Sequence, residues 1–181
     1  MATRVVLTYA DLAATPADGK RYELHEGEIS MTAAPRPRHQ LVVGNLYLVL
    51  AEYVRRLNLG EILLSPIDVI LAEITVLEPD LVYVDRERLT RVSDRGIERA
   101  PTLVIEVLSP STAATDRGIK FQLCARYGVP YYWIVDADAR IIESYRLVGK
   151  TYEPGLRLEG DRPAVLPPFS DLPLDPVAVW R

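Results

Sequence analysis

Three residues between Glu78 and Lys120 combine side-chain types and spacing that could do chemistry. Asp80 stands in EPDLVYV, Glu106 in PTLVIEVLSPS and Lys120 in TDRGIK. Each acid sits in a strand-like run rich in β-branched residues. A carboxylate in such a run is expensive to bury unless it is paired or holds a cation. Two of them suit a hard divalent metal such as magnesium, with manganese as its substitute, because one or two carboxylates plus waters satisfy that ion. A lysine beside them could hold a nucleophilic water or stabilise negative charge developing on a phosphate. The same trio also fits an ion-pair cluster with no catalytic part, and spacing alone does not choose.

The elements around these residues decide whether they can meet. In a strand, alternate residues share a face, so Val104, Glu106 and Leu108 point one way and Leu103, Ile105 and Val107 the other. Asp80 opens its strand just after Pro79. If the two strands are neighbours, both carboxylates converge. A helix fits Thr115 to Tyr127, ended by Gly128 and Pro130. Asp116, Lys120, Leu123 and Tyr127 form one stripe on it, so Lys120 aims inward and needs an anionic partner.

Other segments read as scaffold. Thr8 and Asp11 resemble a capping box for a short helix over 8–14. Arg21 to Met31 alternates as a hairpin with Glu26-Gly27 at its turn. TAAPRPR connects it to a helix over His39 to Leu57, whose apolar face runs from Val42 to Leu57 and includes His39 in its first turn. Leu41 and Leu48 lie opposite, where a dimer contact is possible. Further strands fit 61–64, 68–71, 81–84 and 102–108, and a second hairpin fits 131–146. The proline-bearing tail from Leu156 reads as loops and short edge strands.

Composition sets the outer bounds. The 181 residues fit one domain, 1–181, and 49% hydrophobic residues can build a core. The apolar runs are too short for a membrane span, and the first residues lack the apolar stretch of a signal peptide. A soluble cytoplasmic protein is expected. The single cysteine, Cys124, excludes an internal disulfide and a cysteine-built zinc site. A net charge of -4 gives no global attraction to nucleic acid, so any such binding needs a local patch. Arg36, Arg38, Arg117 and Arg126 are the candidates for phosphate contacts.

Taken in order, RYELHEGEISM, RHQ at 38–40, EPDLVYV, PTLVIEVLSPST, DRGIK and GVPYYWIVD resemble the Uma family of restriction endonucleases, a branch of the PD-(D/E)XK nuclease superfamily. The resemblance spans most of the chain. It implies an α/β restriction-endonuclease-like fold, with a central mixed β-sheet flanked by helices and an extra N-terminal hairpin. It also implies metal-dependent hydrolysis of phosphodiester bonds, with DNA as the expected substrate. Asp80 and Glu106 would match the two metal-binding acids, helped by the backbone carbonyl of Val107. Glu23 would match a further metal ligand, and His39 is a further candidate to face the site. The superfamily pattern places a lysine two residues after the second acid; Leu108 stands there, and Lys120 could replace it from the next helix. The enzymes of this superfamily often pair to cut two strands, which agrees with a homodimer. The competing expectation is a non-catalytic nucleic-acid-binding or oligomerising module whose site has decayed.

Overall fold

The computed structural model describes residues 5–16, 18–32 and 34–181. Residues 1–4, which head the segment read as lacking a signal peptide, and Ala33 of the proline-rich connection lie outside that set.

Helix α1 (Tyr9–Ala13) starts where the capping box predicts. The Asp11 carboxylate accepts hydrogen bonds from the Thr8 N–H at 2.8 Å and the Thr8 hydroxyl at 2.9 Å. Strands β1 (Arg21–His25) and β2 (Glu28–Thr32) form the first hairpin. Its turn residues Glu26 and Gly27 have φ of 52° and 84°, the left-handed pair that matches strand twist in a two-residue hairpin. Helix α2 (Pro37–Arg56) begins two residues before the predicted start, because Pro37 is well suited to the first helical turn.

The chain continues through β3 (Gly60–Leu64), β4 (Val69–Ala72), β5 (Thr75–Leu77) and β6 (Leu81–Asp85). A short 3-10 helix, Arg86–Arg91, and the strands β7 (Val92–Ser93) and β8 (Gly96–Glu98) fill the polar segment before β9 (Leu103–Val107). Next comes a helical run of three parts: α3 (Ala113–Thr115), a π turn over Asp116–Lys120, and α4 (Phe121–Arg126). Strands β10 (Tyr131–Asp136), β11 (Ile141–Val148) and β12 (Thr151–Glu159) follow. The chain closes with β13 (Ala164–Val165), β14 (Pro173–Leu174) and α5 (Pro176–Trp180). The tail thus departs from the expected loops. β12 pairs with β11 along nearly its whole length, accommodating Pro154 at a register shift, and α5 is capped by the Asp175 carboxylate.

The central sheet has the order β12-β11-β10-β9-β6-β3 and is mixed: β9 and β10 are parallel and its other pairs antiparallel. A second six-stranded sheet has the order β2-β1-β5-β4-β8-β7. The N-terminal hairpin is therefore the edge of a full sheet rather than an appendage. α2 covers one face of the central sheet, burying Val42, Leu46, Leu50 and Val54 with Ile62, Leu103 and Trp133. Each such side chain contributes about 1.5–3 kcal/mol on removal from water. The other face buries Val82, Val104 and Ile134 with Val69, Leu77 and Ile97 of the second sheet and Leu123 of α4. No helix among the described residues is long and apolar enough to cross a membrane.

Candidate active site

The antiparallel register of β6 and β9 pairs Leu81 with Ile105. One step further, Asp80 lies across from Glu106. The Val107 N–H donates to Asp80 Oδ2 at 2.9 Å, which locks the start of β6 to the end of β9. Both acids are buried, at 4% and 1% exposure. A cleft of about 200 Å³ opens over them, lined by Arg21, Glu23, His39, Asp116 and Lys120 among others.

Lys120 reaches this cleft from the π turn. Its Nζ lies 2.6 Å from Glu106 Oε1, 2.9 Å from Glu23 Oε1 and 3.5 Å from Asp116 Oδ1. The wider turn adds a residue to the helical register, a local irregularity often found where a helix serves a site. Glu23 comes from β1, so both sheets feed the cluster. Its Oε1 also accepts from the Glu78 N–H at 2.8 Å, and its Oε2 lies 3.1 Å from His25 Nε2.

Asp80 has a separate set of partners. His39 Nε2 is 3.1 Å from its Oδ2, and Arg21 donates to its Oδ1 at 3.1 Å. Arg21 also pairs with Glu78 Oε1 at 3.1 Å and donates to the Glu78 carbonyl at 2.6 Å. The sequence reading singled out neither Arg21 nor Glu78. The spacing of Arg21 and Glu23, two apart on one strand, was the available signal: such residues share a face.

The electrostatics divide the carboxylates. Burial pushes the Glu106 carboxyl well above its usual range; Lys120 opposes this, while Asp116, Asp80 and Glu23 add repulsion. Burial likewise raises Asp116 against the pull of Lys120. Burial would raise Asp80 too, but the His39 contact and the charges of Arg21 and Lys120 outweigh it and hold that carboxyl low. Glu23 is also held low, because Lys120, His25 and the Glu78 N–H overcome its burial. Burial disfavours the Lys120 ammonium, yet Glu106, Glu23 and Asp116 around it keep it protonated far above its ordinary range.

Two observations bear on a divalent metal. Four carboxylates line the cleft (Glu23, Asp80, Glu106, Asp116) against two fixed cations, Arg21 and Lys120, so full ionisation leaves two negative charges uncompensated. Glu106 Oε1, although close to the Lys120 ammonium, is buried and receives no hydrogen bond of good geometry. Oxygen donors with a double negative excess fit a hard divalent cation, which Asp80, Glu106 and Glu23 would hold. Among the described residues no three His, Cys, Asp or Glu side chains already stand in metal-holding geometry.

The remaining candidates are placed elsewhere. Arg38 donates to the Ala137 carbonyl at 2.7 Å, and Arg117 and Arg126 pair with Glu143 and Glu26 at 2.6 and 2.7 Å. None of them lines the cleft, and neither does the exposed Arg36. Leu108, partly buried, packs against the apolar cluster beside β9. Cys124 is wholly buried, with its thiol pushed up by that burial, and serves packing.

Comparison with known proteins agrees with this architecture. A model of the Uma2 family, described as "Putative restriction endonuclease", matches residues 8–176. Among solved structures, a "putative nuclease belonging to DUF820" from Anabaena variabilis ATCC 29413 superposes with a TM-score of 0.79 at 21% identity, covering 96% of this chain and 97% of that one. No match was found among curated proteins.

Proposed function

The chain belongs to the Uma2 family, and from that premise we propose that it is a divalent-metal-dependent nuclease acting on DNA, with residues 1–181 working as one domain. The observation that carries this reading is the meeting of Asp80, Glu106, Glu23 and Lys120 in one cleft. Magnesium or manganese bound there would acidify a water and offset charge on the scissile phosphate. Asp80 and Glu106 would hold the ion, aided by Glu23 and the Val107 carbonyl. His39 and Arg21 keep Asp80 ionised and oriented. Lys120, held between Glu106, Glu23 and Asp116, would orient the attacking water and face the negative charge of the phosphate. Hydrolysis joins the water oxygen to phosphorus and breaks a P–O ester bond, whose oxygen leaves with a proton.

The proposed assembly is a homodimer through the outer face of α2, where Leu41 and Leu48 are 61% and 58% exposed. A protein that light scattering finds monomeric at micromolar concentration would remove that part.

One observation favours the competing reading, a non-catalytic module: Lys120 already engages three carboxylates in a closed ion-pair cluster. Incubation with plasmid and oligonucleotide DNA in magnesium, manganese or EDTA separates the two. The nuclease reading expects cleavage with metal only, reduced about a hundredfold or more in Glu106→Gln and Asp80→Asn. Wild-type protein that cuts nothing with either metal would leave the module.

A further inference from the structure

The wider register of the π turn is a rare alternative to the α-helix, and the residues of the turn, DRGIK, do not themselves demand it. What favours it lies on strand β10.

β9 and β10 run parallel, with Tyr132 beside Val104 and Ile134 beside Glu106. By strand alternation these four residues project from one face of the central sheet, the face that Leu123 of α4 covers. Tyr132 therefore reaches the helix from the strand next to that of Glu106. Its side chain is wholly buried. Its hydroxyl donates to the Asp116 carbonyl at 2.9 Å, at the first residue of the turn. Its ring meets that of Phe121, the residue just past Lys120, at 84° with 5.3 Å between centroids. One side chain thus holds both ends of the turn.

We propose that Tyr132 is a positioning residue: its hydroxyl holds the π turn and so presents Lys120 to Glu106 and Glu23. The part this plays in hydrolysis rests on the nuclease reading above.

A carbonyl oxygen has two lone pairs, so Asp116 can accept from the hydroxyl as well as from its own helix, but only while the carbonyl is turned toward β10. Relaxation to the α register would drop the extra residue and rotate one flank of the turn by about 100°. α4 resists that rotation, because Leu123, Cys124 and Ala125 are buried in it. The change would fall on the turn and on the segment before it, which supplies Thr112, Thr115 and Asp116 to the cleft wall. The contacts of Lys120 at 2.6, 2.9 and 3.5 Å would not survive as a set. A second anchor is weaker: Arg117 pairs with Glu143 of β11 but is 42% exposed.

The ammonium of Lys120 reports on this directly. The sequence has three lysines, Lys20, Lys120 and Lys150, and Lys20 and Lys150 are exposed. In protein isotopically labelled at its lysine side-chain nitrogens, Lys120 should give a slowly exchanging magnetic resonance signal. Tyr132→Phe keeps the ring and removes the hydroxyl. Its Lys120 signal should exchange with solvent about tenfold faster, or broaden away. Tyr152→Phe removes another hydroxyl of the same aromatic cluster, one that donates to the Val129 carbonyl at 2.8 Å. That variant should keep the wild-type signal. With magnesium and plasmid DNA, Tyr132→Phe should lower kcat about tenfold or more while KM stays within about twofold, and Tyr152→Phe should change neither.

An unchanged Lys120 signal in folded Tyr132→Phe would overturn the inference. An equal loss in Tyr152→Phe would overturn it too, since loosening of the whole cluster would then suffice. Wild-type protein that cuts nothing would remove the nuclease reading, and the lysine signal would still decide this one. If Tyr132→Phe does not fold, the wild-type hydroxyl proton of Tyr132 carries the test. It should exchange slowly and show a nuclear Overhauser contact to the turn; its absence would overturn the proposal.

Discussion

The Lys120 ammonium stands 2.6 Å from Glu106 Oε1, delivered by the π turn that follows the Glu106 strand. Both groups are almost wholly buried, so each depends on the other. Lys120→Ala would leave Glu23, Glu106 and Asp116 facing one another without it. Removing one partner of a buried pair costs about 3–5 kcal/mol, read as a lower urea midpoint. Millimolar magnesium should recover part of that loss by binding the folded state. A variant that magnesium does not stabilise would mark the cluster as structural only.

Leu108 shares the face of Glu106 by strand alternation and occupies the position where the superfamily pattern has lysine. Leu108→Lys introduced into Lys120→Ala should restore a measurable part of the metal-dependent cleavage that Lys120→Ala loses. Leu108→Lys alone adds a second cation to the site and should weaken manganese binding, measured by titration calorimetry. A double variant as inactive as Lys120→Ala would show that the lysine must come from the helix.

Arg21 fastens Asp80 and Glu78 together, with its own side chain only 20% exposed. Arg21→Ala should cost about 3 kcal/mol, at the low end for a broken buried pair because solvent reaches this one. Arg21→Lys should recover little, since a single ammonium cannot replace a planar fork. Chemical denaturation of the three proteins gives the order wild type, lysine variant, alanine variant; equal stability of all three would contradict it.

Asp85 supplies a pH dependence away from the site. Burial pushes its carboxyl up, but hydrogen bonds from the Thr102 hydroxyl and the Arg88 N–H, with the Arg88 guanidinium, outweigh burial and hold it low. A carboxyl lowered by folding adds stability above its unfolded pKa of about 3.9. That contribution fades as pH falls through the lower folded value. Urea unfolding from neutral to acidic pH should show a smaller acid loss in Asp85→Asn than in wild type.

The paired acids were legible because Glu106 interrupts an apolar run and Asp80 opens one, where a charge needs a reason. The inward aim of Lys120 followed from helical spacing, but the π turn did not, since no residue type announces one. His39 lies on the apolar face of α2 as expected, and its partner Asp80 is 41 residues away in sequence. Arg21 and Glu78 were missed because exposed strand charges and buried ones look alike until their neighbours are known. β12 was hidden by Pro154 and Gly155, which argue against a strand unless its partner can absorb a bulge. α5 was hidden by its shortness.

The two-sheet construction makes catalytic competence a separate property from being folded. Glu23 and Arg21 ride on β1, which among the described residues pairs with β2 and β5 and rests on a small cluster of Leu12, Leu24, Ile70 and Val76. Asp80, Glu106 and Lys120 belong to the larger body around the central sheet. Small peripheral units open at lower free energy than the whole. On warming, the β1–β2 hairpin should part from β5 first, uncoupling Glu23 from Lys120 while the central sheet keeps its hydrogen bonds. Amides of β1 would then exchange with solvent before those of β9 and β10. The protein would lose its site as a unit, reversibly, at a temperature where it is still mostly native.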